Sequence, residues 1–374
     1  MIKRQLEKVI LSGLNQGKAI ILLGPRQSGK TTLMEAIASK HTKYLLLDCD
    51  DPFVRNQLEN ANTEELKQII SDYKLVFIDE AQRVKNIGLT LKIITDRLKN
   101  VQLLVSGSSS FEISNQTNEP LTGRKWEHIL YPISWVELQS HIGFLKTHQQ
   151  LEHRIIYGMY PDVINFQGKE QKVLKNLSSS YLYKDIFNFK GLRRPELLEK
   201  LLQLLALQLG NEVSYNYLAK ILQVDKNTIS NYLQLLEQAF VIFRLKAFSR
   251  NKKNEIKRGR KIYFYDTGIR NSIIGDFKPL EFRQDKGALW ENFLISERRK
   301  QLEYQEKIVN TYFWRTVSGQ EIDYIEERDG ALFPVEFKWK DTNSKHSKAF
   351  FKLYKTEVTV VNQSNFENFI NGQL

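Results

Sequence analysis

KAIILLGPRQSGKTT, residues 18–32, decides the fold. Ala19–Leu23 is an unbroken apolar run of strand length, and the glycine-bounded loop after it opens a helix at about Gly29. The loop fits G-x-x-x-x-G-K-[ST] at Gly24, Gly29, Lys30 and Thr31, the pattern of a phosphate-binding loop. The residue types follow from the chemistry. Gly24 and Gly29 let the backbone curl so that successive N–H groups point inward at phosphate oxygens. The helix N-terminus adds partial positive charge. Lys30 is placed to reach the β- and γ-phosphates, and the Thr31 hydroxyl to be a Mg²⁺ ligand. Gly24, Pro25, Arg26, Gln27, Ser28, Gly29, Lys30, Thr31 and Thr32 are the expected contacts to ATP.

KLVFIDE, residues 74–80, strengthens this reading. Its apolar run suits a strand buried on both faces, and it ends in two carboxylates. In phosphate-loop enzymes the first acid, here Asp79, holds Mg²⁺ through water. The second, Glu80, is placed to orient or deprotonate the attacking water.

Bulk composition bounds the rest. A chain of 374 residues with 41% hydrophobic and 26% charged residues is a multidomain globular protein. Its apolar runs are strand length, so no membrane span is expected. The N-terminal MIKRQLEKVILSGLNQGK is amphipathic and does not read as a signal peptide. Cys49 is the single cysteine, which excludes an intramolecular disulfide and a cysteine-based zinc site. A cytoplasmic location is expected. The net charge of +12 favours a polyanionic partner, nucleic acid first. No G-x-G-x-x-G follows a strand, which argues against a dinucleotide oxidoreductase.

Strands and helices alternate through about residue 131, implying a parallel sheet covered on both faces. One strand, Tyr44–Leu47, lies in sequence between the loop strand and the acidic strand. That order, with Glu80 after Asp79, resembles the additional-strand class of P-loop ATPases, which includes the AAA+ family. The strand Val101–Val105 runs into SGSSS, residues 106–110. AAA+ proteins place a polar γ-phosphate sensor at this strand end, so the resemblance points to Ser108 or Ser109. Arg124, in LTGR after this strand, is a candidate to sense phosphate charge, in cis or across a subunit interface of a homo-oligomer.

Residues 169–207 read as helical and would form a lid. Tyr181, Tyr183, Phe187 and Phe189 within it read as packing residues. Ser214–Leu222, a turn, and Asn227–Gln238 have the spacing of a helix-turn-helix. With the strands Ala239–Ala247 and Lys261–Tyr265 the segment resembles a winged helix. Residues 244–261 carry nine Lys/Arg against one acid, Glu255. Lys226, Asn227, Thr228 and Asn231 mark a candidate recognition helix, so DNA is the expected partner. A solvated loop or a protein-docking winged helix is the alternative.

A third constellation lies near the C-terminus. Asp323 is followed by Glu336-x-Lys338, the spacing of the PD-(D/E)xK nuclease fold. Paired strands bring Asp323 and Glu336 together, and residues two apart on a strand share a face. Two carboxylates can hold Mg²⁺ or Mn²⁺, and a lysine can steady charge on a scissile phosphate. Glu291, on the preceding helix, would complete the metal site.

Together the blocks resemble the prokaryotic AAA-type ATPase family with a C-terminal DUF4143 domain. The matching residues are GPRQSGKTT (24–32), VFIDEAQ (76–82), SGSSS (106–110), LTGR (121–124), GMYPDV (158–163), YDTGIRN (265–271), GALWENF (287–293), FWR…GQEIDY (313–324) and PVEFK (334–338). Met159 departs from the family, whose members often carry a second glycine there. The resemblance implies an α/β multidomain protein: a parallel-sheet ATPase core (1–140), a helical lid (141–207), a winged helix (208–265) and a PD-(D/E)xK-like α/β domain (266–374). It implies a Mg²⁺-dependent ATPase that couples nucleotide state to DNA. Rival readings are a protein-interaction switch with an inactive nuclease-like domain and an ATP-gated toxin or defence nuclease.

Overall fold

The computed structural model describes residues 1–40, 43–107, 121–178, 194–249, 259–316, 318–340 and 347–374. The chain forms two compact units, the first holding Met1–His141 and the second Val241–Leu374 and most of the segment between. No helix among the described residues is long and apolar enough to cross a membrane.

The first unit is built on five parallel strands: β1 (Ala19–Leu23), β2 (Leu45–Asp48), β3 (Leu75–Asp79), β4 (Gln102–Ser106) and β5 (Lys125–Ile129), in the order β2-β3-β4-β1-β5. The three central strands are buried at every position, which is why they read as unbroken apolar runs rather than alternating ones. The edge strands β2 and β5 are partly exposed. β4 lies between β1 and β3, the strand order of a P-loop ATPase core. Connecting helices include Lys30–Ala38, Thr63–Ile70 and Ile87–Arg97. The second of these begins one residue later than its cap. Asn62 accepts hydrogen bonds from the N–H groups of Glu64 and Glu65 at 2.9 and 3.0 Å, and Glu65 reaches back to the Asn62 N–H, a complete capping box.

In the second unit, helices Tyr215–Leu222 and Lys226–Gln238 are joined by a short turn through Gln223, whose φ is 53°. Asp225 caps the second helix, accepting from the N–H groups of Asn227 and Thr228. Strands β6 (Glu212–Val213), β7 (Ile242–Ala247) and β8 (Arg260–Phe264) follow the order β7-β8-β6. They do not form a separate sheet. β7 pairs in parallel with β9 (Asn310–Arg315), and the ladder continues through β10 (Glu321–Arg328), β11 (Ala331–Phe337) and β12 (Thr359–Val361), giving one seven-stranded sheet. The segments read separately as a winged helix and a C-terminal domain therefore share one hydrogen-bonded sheet. β10 and β11 form a hairpin at Asp329–Gly330, both at positive φ (50° and 82°), as a two-residue turn requires.

Two motifs quoted from sequence, residues 158–163 and 265–271, meet in this unit. Asp266 accepts hydrogen bonds from the backbone N–H of Met159 (2.7 Å) and Ile269 (3.1 Å). Asn271 donates to the Ile156 carbonyl at 2.8 Å. Tyr160, Val163, Leu174, Leu177 and Ile269 form the core beside the joint. Met159 is buried and has no positive φ, so this turn does not need glycine there. Gly158 does need to be glycine: its φ is 77°, and a Cβ would lie 2.0 Å from an Asp266 carboxylate oxygen. Gly143, at φ 86° with nothing within 4 Å of a Cβ, is the strain-only control. Gly158→Ala is expected to cost about 2 kcal/mol or more. In calorimetry this appears as a lower melting temperature, with a visibly smaller effect for Gly143→Ala.

Candidate functional site

The strands of the first sheet are parallel, so their C-terminal ends share one edge. There the loop after β1 meets the ends of β3 and β4. Lys30 is 5% exposed, and its ammonium donates to the carbonyls of Gly24 and Pro25, both at 2.9 Å. Thr31 Oγ1 donates to Asp79 Oδ2 at 2.8 Å. Ser106 Oγ donates to the other Asp79 oxygen, and the Glu80 N–H lies 3.0 Å from that same oxygen. Glu80 sits in the left-handed region at φ 49°. Its carboxylate accepts from the Gln82 side-chain amide.

The loop geometry explains its glycines. A Cβ on Gly24, at φ 146°, would stand 2.2 Å from the Leu130 carbonyl oxygen, and Gly29 caps the helix at φ 93°. Behind the loop lies Arg4, 6% exposed. Its guanidinium donates to the carbonyls of Ser28 (2.7 Å) and Tyr131 (2.6 Å) and to Glu137 Oε1 (3.1 Å). Glu137 in turn accepts the N–H groups of Gln5 and Ser134. The Ser28 hydroxyl is buried without a partner. A hydroxyl and a carboxylate side by side, beside a buried ammonium that donates to two backbone carbonyls, suit Mg²⁺ and phosphate oxygens.

Two expected residues do not join this cluster. Ser108 lies outside the described residues, as does Ser109. Arg124 is described, and the expectation that it senses phosphate in cis is corrected. It directly precedes β5, and its carbonyl accepts from the Ala19 N–H at the start of β1. β5 runs parallel to β1, so Arg124 lies at the opposite edge from the loop, about a strand length away. There its Nε pairs with Asp96 at 2.7 Å. A polar cavity of about 670 Å³ opens at this edge, lined among others by Lys18, Asp96, Lys99 and Arg124.

In the second unit, β10 slips register against β9 between Ile322 and Ile325. Such a bulge re-aims the side chains it carries, and Asp323 lies in it. Asp323 Oδ2 accepts the Phe337 N–H at 2.8 Å, and Lys338 Nζ pairs with Glu336 Oε1 at 2.6 Å. Glu291 stands near Asp323, but the Lys261 ammonium lies beside both. Glu291 Oε1 is taken by Lys261 Nζ at 2.9 Å and by the Tyr263 hydroxyl. Lys261 also pairs with Glu321. Among the described residues no three carboxylate, imidazole or thiolate side chains are placed to hold a metal ion. The expected metal set of Glu291, Asp323 and Glu336 therefore does not fit a divalent ion. The physical reason is that the buried Lys261 ammonium already supplies the positive charge beside Glu291 and Asp323.

Comparison with known proteins identifies the domains. Residues 16–139 match the AAA domain, residues 148–280 a domain of unknown function (DUF8612), and residues 286–372 a domain of unknown function (DUF4143). The chain thus carries an AAA domain followed by a C-terminal DUF4143 domain. An uncharacterized protein of Mycobacterium tuberculosis is 27% identical over 338 residues, covering 88% of this chain and 72% of that protein. An uncharacterized protein of Haemophilus influenzae is 23% identical over 350 residues, covering 87% and 84%. Among solved structures, a Walker-type ATPase of Pyrococcus abyssi is 15% identical and covers 73% of this chain and 96% of its own, with a TM-score of 0.48.

Several residues at the sites of this AAA and DUF4143 protein were not singled out from sequence. Ser106, the last residue of buried β4, is the serine of SGSSS held rigidly at the strand end. Lys261 closes the basic run, yet its place two residues before Tyr263 on a strand puts both on one face. Arg4 carried no signal, because its partners lie far along the chain. Cys49 is buried, and burial together with neighbouring Asp48 pushes its thiol up to about 12, which makes it a poor nucleophile.

Two outcomes follow. Glu137→Ala strands the Arg4 guanidinium in the interior and is expected to cost about 3 kcal/mol, measured as denaturant stability of the AAA domain. Burial and the nearby Glu291 charge raise the Asp323 carboxyl to about 7, against the opposing effects of Lys261, the Phe337 N–H and Lys338. Between the ordinary carboxyl value of 3.8 and about 7 the folded chain thus holds a proton that the unfolded chain has lost. Folding stability falls as pH rises through that window and levels off above it. Asp323→Asn should therefore gain on the wild type from pH 4 to pH 7, in chelator-containing buffer, and hold a constant advantage beyond.

Proposed function

We propose that this protein is a Mg²⁺-dependent ATPase whose nucleotide turnover is coupled to DNA engaged by the helix-turn-helix of its second unit. The AAA domain supports ATP binding and hydrolysis. The observation that carries the assignment of residues is the meeting of Lys30, Thr31, Asp79 and Glu80 at one sheet edge.

In this reading the backbone N–H groups of the Gly24–Gly29 loop bind phosphate oxygens. Lys30 exchanges its two carbonyl partners for β- and γ-phosphate oxygens, a stronger charge-assisted contact. Thr31 Oγ1 and Asp79 Oδ2 would hold Mg²⁺, which when bound neutralises developing phosphate charge. Ser106 keeps the Asp79 carboxylate in orientation. The Glu80 carboxylate orients the attacking water and takes its proton, and Gln82 holds that carboxylate at the strand end beforehand. Arg124 enters only as a residue of a neighbouring copy's site, so a role for it requires an oligomer.

DNA binding is supported by the exposed face of the helix Lys226–Gln238. Lys226, Asn227, Asn231 and Gln234 lie on it, exposed and at helical spacing. Lys246 of β7 is exposed as well. Arg244 and Lys261 of the basic run are unavailable, being paired with Glu237 and with Glu291. Arg250, Lys252, Lys253, Lys257 and Arg258 lie outside the described residues. Phosphate contacts of this kind give affinity with a steep salt dependence. Strand cleavage is not part of the proposal, because the C-terminal carboxylates do not suit a metal ion.

Phosphate release by the full chain, with and without duplex DNA, tests this. Lys30→Ala is expected to lose about 100-fold in turnover, and Glu80→Gln to bind ATP without hydrolysing it. Duplex DNA should raise wild-type turnover. Lys226→Ala should weaken DNA binding and lower the slope of log affinity against log salt by about one. Turnover indifferent to DNA, with unchanged binding by Lys226→Ala, would remove the DNA half and leave the ATPase half standing.

A further inference from the structure

We propose that the ammonium of Lys261 takes the place of a divalent cation in the carboxylate cluster of the second unit, so that this site binds neither Mg²⁺ nor Mn²⁺. The cluster gathers four carboxylates: Glu291 from the helix Lys286–Tyr304, Glu321 and Asp323 from β10, and Glu336 from β11. Lys261 enters it from β8. It is 1% exposed and pairs with Glu291 Oε1 at 2.9 Å and with Glu321. The Tyr263 hydroxyl donates to the same Glu291 oxygen. Asp323 is engaged by the Phe337 N–H and Glu336 by Lys338.

A hard divalent ion needs lone pairs from several of these oxygens at once. Here donors engage one oxygen each of Glu291, Asp323 and Glu336, and a second cation beside the ammonium would be repelled at short range. Lys261 cannot easily withdraw. Its strand is paired on both sides, with Leu245 of β7 and Glu212 of β6 opposite it. A buried ammonium that left would need equal compensation elsewhere. The cluster is therefore self-neutralised. It ties β8, the helix Lys286–Tyr304 and β10 to one another, and it has no metal with which to cleave a phosphodiester.

The test is Mn²⁺ binding by the nucleotide-free full chain, followed through the paramagnetic resonance of free Mn²⁺. Any ion bound near Thr31 and Asp79 is common to all variants and cancels. Wild type and Glu291→Gln should bind equal numbers of Mn²⁺. Lys261→Met should bind one more per chain, and Lys261→Met/Glu291→Gln should lose it again. A Mn²⁺ bound by wild type and lost in Glu291→Gln overturns the proposal. So does a folded Lys261→Met that gains none. If Lys261→Met does not fold, the pair of wild type and Glu291→Gln decides alone: equal binding sustains the proposal, and loss overturns it.

Discussion

Parallel strands all end at the same edge of their sheet. In the first unit this constraint assembles the nucleotide site from segments far apart in sequence. The loop after β1, the acids at the end of β3 and Ser106 at the end of β4 are neighbours because the order β2-β3-β4-β1-β5 sets β4 between the other two. The same constraint sends Arg124 away. A chain leaving β4 at that edge must return to the other edge before β5 can run parallel to β1, so a residue immediately before β5 is remote from its own loop.

Two buried lysines show how a lone ammonium can be used in opposite ways. Lys30 is held by two backbone carbonyls, neutral partners that a phosphate can outbid. Lys261 is held by two carboxylates, and its cationic form is stabilised by Glu291, Glu321 and Asp323 despite the cost of burial. The first arrangement sets neutral carbonyl partners where a phosphate can take their place. The second closes the account within the chain.

The legible parts of the sequence were those with local signals. The loop glycines, the apolar runs of β1, β3 and β4, and the caps of the helices are written in neighbouring residues, and the parallel core follows from them. Paired strands at Asp323 and Glu336 are legible in the spacing of Asp323 and Glu336-x-Lys338. Contacts between distant residues were not. Arg4 with Glu137, and Lys261 with Glu291 and Glu321, depend on how separate elements pack. A basic residue in a basic run gives no sign that its own side chain is turned inward. The edge on which Arg124 falls was derivable from the parallel order, once β5 was recognised as a member of the sheet.

The seam between β7 and β9 bears on how the molecule can be divided. The family boundary between residues 280 and 286 falls in sequence between β8 and β9, yet the hydrogen bonds of Lys246 and Ala247 with Tyr312 and Phe313 cross it. Cutting the polypeptide there would bare one flank of β7 and one of β9. An open strand flank pairs with whatever strand it meets. Fragments made at the family boundary are thus prone to self-association, and the helix-turn-helix and the DUF4143 strands are inherited as one mechanical body.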